Sequence, residues 1–208
     1  MKMPNRGLYA ITQTDGKTNK TVVEEVAAAI RGGAAVVQYR DKTPSGGGQL
    51  AKALLETCRV AGVPLIINDD IELAAAIGAD GVHLGKDDAD IASARQRLGA
   101  NAIVGISCYD SIERALEAEK LGASYAAFGR FFASGTKPLA SPAKLETLRL
   151  AKKQLTLPIV AIGGILPENG QSLLDAGADL LAVVGGLFDN DPEHSAKMFR
   201  SLFEHPQT

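Results

Sequence analysis

Short apolar runs and amphipathic stretches alternate along the whole chain. Eight runs, at 7–12, 34–38, 64–67, 81–84, 102–106, 124–128, 158–162 and 180–184, are nearly continuously apolar. A strand covered on one face alternates apolar with polar, whereas a run apolar at most positions suits a strand covered on both faces, as in a parallel sheet. Between them, 21–31, 49–58, 71–77, 91–98, 111–121, 144–153, 171–175 and 192–203 read as helices. In the first of these Val22, Val26, Ala29 and Ile30 fall on one stripe, and in 111–121 Ile112, Ala115 and Leu116 share a face.

A weak repeat punctuates the alternation. Gly33-Ala34-Ala35, Gly78-Ala79-Asp80, Gly122-Ala123-Ser124 and Gly177-Ala178-Asp179 each stand before an even-numbered apolar run. Each glycine is placed to end a helix in the left-handed conformation just before a strand. The spacing is too irregular for a solenoid. Eight strand–helix units with related repeats fit a single (β/α)8 TIM barrel over 1–208. An open doubly wound sheet is the alternative architecture. The segment Pro44-Ser45-Gly46-Gly47-Gly48 reads as a loop after the second strand rather than a domain boundary.

Composition narrows the function. Of 208 residues 46% are apolar, enough for a full core, and 22 basic against 24 acidic residues leave a net charge of −2. That balance argues against nucleic acid or a membrane surface as a partner and leaves room for a local basic pocket. The two cysteines, Cys58 and Cys108, lie in no metal-binding or CxxC spacing. No apolar run approaches the roughly 20 residues of a membrane span, and residues 1–5 carry no apolar signal region. A cytoplasmic protein acting on small molecules is expected, with its oligomeric state open and a homo-oligomer allowed.

A barrel carries its active site at the carboxyl ends of its strands. The second strand runs into Gln38-Tyr39-Arg40-Asp41-Lys42. With continued strand geometry Gln38, Arg40 and Lys42 point to one side, so two cations and an amide meet where polyanionic oxygen would bind. The third ends in Asn68-Asp69-Asp70, where Asn68 or Asp69 is also suited to cap the next helix. The fourth leads through His83 into Gly85-Lys86-Asp87-Asp88, where either aspartate could cap as well. Carboxylates from adjacent strand ends suit Mg2+, which takes few protein oxygens and keeps water and phosphate. His83 reads as a packed barrel residue rather than a metal ligand. Ser107 ends the fifth strand without an evident His/Asp relay. The sixth leads into Ser134-Gly135-Thr136-Lys137, a mixture suited to phosphate oxygens and also ordinary in loops. The seventh and eighth end in Gly163-Gly164 and Val184-Gly185-Gly186, where bare backbone N–H groups can meet phosphate.

Together these motifs resemble the thiamine-phosphate synthase family, most specifically in 38–42, in 67–70 with 78–85, and at Thr136-Lys137; the resemblance runs from residue 7 to about residue 188. It implies a (β/α)8 barrel that joins 4-amino-2-methyl-5-hydroxymethylpyrimidine diphosphate to a hydroxyethylthiazole phosphate, releasing thiamine phosphate and diphosphate. On this resemblance Gln38, Tyr39, Arg40, Asp41, Lys42, Asn68, Ser107 and Lys137 surround the pyrimidine diphosphate. Arg40, Lys42, Ser107 and Lys137 serve catalysis, and Asp69 with Asp88 holds one Mg2+. Ser134, Gly135, Thr136, Gly164, Val184 and Gly185 line the thiazole phosphate. Bond breaking to diphosphate is expected to precede attack, so no protein nucleophile is needed. The chain departs from the family pattern at Ser134 (commonly Thr), Lys86 (often Gln), Cys108-Tyr109 (often with a His) and Gly185 (often Ser).

Three rivals are weaker. A thiazole tautomerase of the same superfamily needs a histidine after the sixth strand, where Arg130 stands. A non-catalytic phosphate-binding barrel would not need both Asp69 and Asp88. A phosphosugar isomerase needs an acid/base pair that Gln38 and Asn68 do not provide.

Overall fold

The computed structural model describes residues 1–42, 48–85, 91–133 and 142–204. Its strands are β1 (Gly7–Ile11), β2 (Ala34–Tyr39), β3 (Leu65–Asn68), β4 (Gly81–Leu84), β5 (Ile103–Tyr109), β6 (Tyr125–Gly129), β7 (Ile159–Ile162) and β8 (Leu180–Val183). All pair in parallel with their sequence neighbours, and β8 pairs with β1 to close the barrel. This is the expected (β/α)8 barrel in one domain; the open sheet is ruled out by the Gly7–Leu180 to Ala10–Val183 pairing.

Strand alternation sorts the core into two layers. Tyr9, Ile11, Val36, Ile66, Ile103, Tyr125, Val160 and Leu180 fill the barrel interior. The intervening residues, such as Leu8, Val37, Leu65, Val82 and Phe128, pack outward against the helices. Those helices are α1 (Asn19–Gly32), α2 (Gln49–Ala61), α3 (Ile71–Ile77), α4 (Ile91–Leu98), α5 (Ile112–Lys120), α6 (Leu145–Gln154), α7 (Pro167–Asp175), α8 (Gly185–Phe188) and α9 (Pro192–Glu204). The stripe Val22, Val26 and Ala29 is the buried face of α1.

Three differences from the sequence reading have physical causes. Strand β5 runs on to Tyr109, past the apolar run, because its pairing with β6 continues through an irregularity between Ser107 and Tyr109. Helix α7 begins at Pro167, where the missing N–H costs nothing in a first turn. The short α8 carries no amphipathic period in its four residues and leaves no pattern to read.

The repeat has a structural purpose. Gly33, Gly78, Gly122 and Gly177 all have positive φ between 69° and 113°. In three of the four units the third residue of the triplet then turns its side chain back to the preceding strand. Asp80 accepts from Leu65 N–H, Ser124 Oγ from Val104 N–H, and Asp179 from Ile159 N–H, at 2.9–3.0 Å. In the first unit Ala35 stands instead, with no polar atom to contribute. Arg95 of α4 adds bonds to the Gly122 and Ala100 carbonyls and to Ser124 Oγ. The amino end of the barrel is therefore stapled by side chain–backbone bonds, and the opposite end is left for chemistry.

Candidate active site at the strand carboxyl ends

Beyond β2 the extended course is prolonged by Thr12. Its N–H donates to the Gln38 carbonyl, while its hydroxyl accepts from Arg40 N–H at 2.9 Å and donates to the Arg40 carbonyl at 3.1 Å. Alternation therefore holds as far as Arg40 and ends in a bend at Lys42. Gln38 lies buried in the barrel interior, Arg40 is half-buried above it, and Lys42 is exposed. The expected three-residue row is thus a graded series from interior to rim. Tyr39 takes the opposite face: its ring sits in the outer layer and its hydroxyl donates to Asp41, which also accepts from Thr14. Burial and the neighbouring Asp41 push the Tyr39 phenol up to about 12. Through Asp41 the Tyr39 hydroxyl is joined to Thr14, which follows β1. Among the described residues, neither Arg40 nor Lys42 forms an ion pair.

At β3 the structure separates two adjacent carboxylates by task. Asp70 caps α3, accepting from Leu73 N–H at 2.7 Å. Asp69, freed from capping, adopts φ 61°, a left-handed conformation uncommon outside glycine. Its N–H donates to the His83 carbonyl, and its carboxylate accepts from Gly85 N–H at 3.1 Å and from Asn68 Nδ2 at 2.6 Å. An exposed, hydrogen-bonded carboxylate held in a costly backbone conformation at a strand carboxyl end fits a hard divalent cation. Its expected partner Asp88 lies outside the described residues, as do Ser134, Gly135, Thr136 and Lys137.

Inside the barrel runs a polar chain. Gln38 Nε2 donates to Tyr9 Oη at 2.9 Å, and Tyr9 Oη meets Tyr125 Oη at 2.7 Å. Tyr125 Oη meets His83 Nδ1 at 2.9 Å, and His83 Nε2 meets Ser107 Oγ at 2.9 Å. Gly105 makes room for it, since a Cβ there would overlap the Tyr125 ring. Burial lowers the His83 imidazole to about 4, so it is neutral at physiological pH. Burial likewise raises both phenols, which stay protonated. The bond between His83 and Ser107 was not evident in the sequence. The histidine is backed by a phenol rather than a carboxylate, so no Ser–His–Asp triad forms. His83 is a hydrogen-bonded barrel residue, as expected. Arg114 of α5 fixes Ser107 further, donating to its carbonyl at 2.7 Å and to the Gly85 carbonyl at 3.2 Å. Tyr9 and Tyr125 went unnoticed in the sequence; a tyrosine inside an apolar strand run is the available signal, because its buried hydroxyl needs a partner.

Across the mouth, Gly163 and Gly164 have φ 105° and 63°. They lie against the exit of β6: a Cβ on Gly163 would run into Arg130, and one on Gly164 would stand 2.5 Å from the Ala133 carbonyl oxygen. Gly185 belongs to α8, with Val184 as its N-cap residue, rather than to a loop. The first N–H groups of a helix have no intrahelical partner, so Gly185 and Gly186 offer donors at the rim. Both thiols are buried and pushed up to about 12, which excludes them as nucleophiles at neutral pH.

Comparison with known proteins agrees with this geometry. Residues 8–187 match the family model described as thiamine monophosphate synthase. The chain is 52% identical over 210 residues to a thiamine-phosphate synthase of Methylococcus capsulatus, covering 100% of this chain and 93% of that protein. It is 51% identical to one from Nitrosococcus oceani, covering 95% and 93%. Among solved structures it superposes on a thiamine phosphate pyrophosphorylase from Pyrococcus furiosus with a TM-score of 0.84 at 33% identity over 96% of each chain. With half its residues shared with such proteins over nearly its whole length, this chain belongs to the thiamine monophosphate synthase family.

Proposed function

We propose that the mouth of this barrel condenses the pyrimidine diphosphate with the thiazole phosphate by dissociative substitution, the synthase activity its family carries. The methylene C–O bond breaks and its electron pair leaves on diphosphate. The thiazole nitrogen lone pair then forms the new C–N bond, and no proton has to move. Charge grows on the departing oxygens, so the protein's main task is to stabilise anion. Arg40 is suited to this by its forked guanidinium, and Lys42 and Lys137 add positive charge. Asn68 and Gln38 orient the pyrimidine side, and Ser107 contacts that substrate or its leaving group. A Mg2+ held by Asp69 and Asp88 would supply further charge neutralisation on the diphosphate. Ser134, Gly135, Thr136, Gly164, Val184 and Gly185 receive the thiazole phosphate, largely through backbone N–H groups. Holding both substrates face to face supplies the remainder. Both are small molecules, and we place the reaction in the cytoplasm.

The observation that supports this reading is Asp69, held at a left-handed φ at the carboxyl end of β3 while Asp70 takes over the capping of α3. The test is to supply both substrates with Mg2+ and follow thiamine phosphate by fluorescence after oxidation. Product that vanishes with EDTA is expected. Product unaffected by EDTA would remove the metal role, and no product from folded protein would remove the synthase reading.

A further inference from the structure

The interior chain has a direction, and the direction can be derived. Tyr9 Oη accepts the Gln38 amide hydrogen, and its own hydrogen has one remaining partner among the described residues, Tyr125 Oη. If Tyr125 donated to Tyr9 instead, the Tyr9 hydrogen would be buried without an acceptor, which is strongly disfavoured. Tyr125, accepting from Tyr9, therefore gives its hydrogen to His83 Nδ1. A neutral imidazole with Nδ1 as acceptor carries its proton on Nε2. That Nε2–H donates to Ser107 Oγ. A hydroxyl that accepts from histidine has its hydrogen left over, and Ser107 is half-buried at the carboxyl end of β5.

We propose that Tyr9, Tyr125 and His83 are positioning residues that make Ser107 a hydrogen-bond donor toward an acceptor atom of the pyrimidine diphosphate. The arrangement is the reverse of a serine nucleophile, in which histidine takes the hydroxyl proton. Here the imidazole gives and does not take, so the serine cannot be activated and can only recognise. Gln38 starts the relay: the amide end presented to Tyr9 sets every later orientation. The inference rests on the reading that Ser107 touches that substrate, and the test separates the two.

Histidine labelled with 15N reports its tautomer directly, with His83→Gln assigning the signal. The wild-type protein should show the Nε2–H form with its Nδ1 resonance shifted by the hydrogen bond accepted from Tyr125, and Tyr125→Phe, which keeps the ring but removes that donor, should abolish the shift. Ser107→Ala should lower kcat/KM for the pyrimidine diphosphate about tenfold, with the KM for thiazole phosphate unchanged. Tyr125→Phe should lower it severalfold alone and have no further effect in the Ser107→Ala background, because it acts through that hydroxyl. Tyr9→Phe breaks the chain one link earlier and serves where Tyr125→Phe folds poorly. A wild-type Nδ1–H tautomer, or full additivity of the two substitutions, overturns the orientation. Wild-type kinetics in Ser107→Ala remove the substrate contact itself, and with it the positioning role, whatever the tautomer.

Discussion

On the β2–β4 side of the mouth the polar atoms belong to side chains, while on the β7–β8 side they belong to the backbone. Arg40, Lys42 and Asp69 follow the last residues of β2 and β3, and Arg40 is held there by backbone bonds to Thr12 in which its own side chain takes no part. Gly163 and Gly164 are different. Their lack of a side chain is demanded first by left-handed φ and by contact with the β6 exit, and only then does it expose N–H groups. Function and fold are separable on the first side and fused on the second. Substitutions on the β2–β4 side should therefore cost turnover at nearly constant stability, and those on the β7–β8 side should cost stability first.

The sharpest break of that contrast is at Asp69. Asp69→Ala should reduce Mg2+-dependent kcat by about a thousandfold. Asp69→Gly should lose as much activity yet melt higher, because glycine relieves the left-handed strain, worth about 1 kcal/mol. A lower melting point in both would show that Asp69 supports the fold. Next comes His83, whose burial should make stability depend on pH. Its folded value of about 4 lies below the ordinary 6.5, so between these the unfolded chain binds the extra proton and stability falls as pH is lowered. The loss should reach about 3 kcal/mol across that window and be absent from His83→Gln, as read by denaturant titrations at a series of pH values. An unchanged slope would place the acid sensitivity elsewhere.

Gly164→Ala tests the other side. It should destabilise the fold by about 3 kcal/mol through left-handed strain and crowding against the Ala133 carbonyl. Wild-type stability with a raised KM for thiazole phosphate would mean that the glycine serves phosphate alone. Smallest is Arg40→Lys, which keeps the charge and loses the fork. KM for the pyrimidine diphosphate should rise about tenfold, with thiazole phosphate unaffected. An equal effect on both substrates would put Arg40 between them.

What could be read in advance follows the same divide. The alternation through Gln38 and Arg40 is a local property of one strand, and Thr12 preserves it in the structure. The eight runs and the four Gly-Ala triplets are likewise local and set the barrel. The choice of Asp70 over Asp69 as cap was not legible, since both carry the same carboxylate and only backbone conformation separates them. Lys42 lies in a bend beyond the Thr12 bonds that keep Arg40 extended. The His83–Ser107 bond joins residues 24 apart, and the Tyr9–Tyr125 bond residues 116 apart. Both exist because the closed barrel brings inward-facing residues together, which no window along the chain displays. Helix α8 escaped for a simpler reason: four residues cannot express a helical period.

The triplets at the amino end have a consequence for ancestry. Asp80, Ser124 and Asp179 repeat one bond at successive pairs of strands, whereas Arg40, Asp69 and Ser107 at the mouth are three different residue types on three different strand ends. Such a pattern suits a barrel multiplied from a two-strand ancestor, in which three of the four copies kept the fastening, the first lost it at Ala35, and the opposite rim diverged. A chain opened at a copy boundary and rejoined through its old termini would carry every fastening intact.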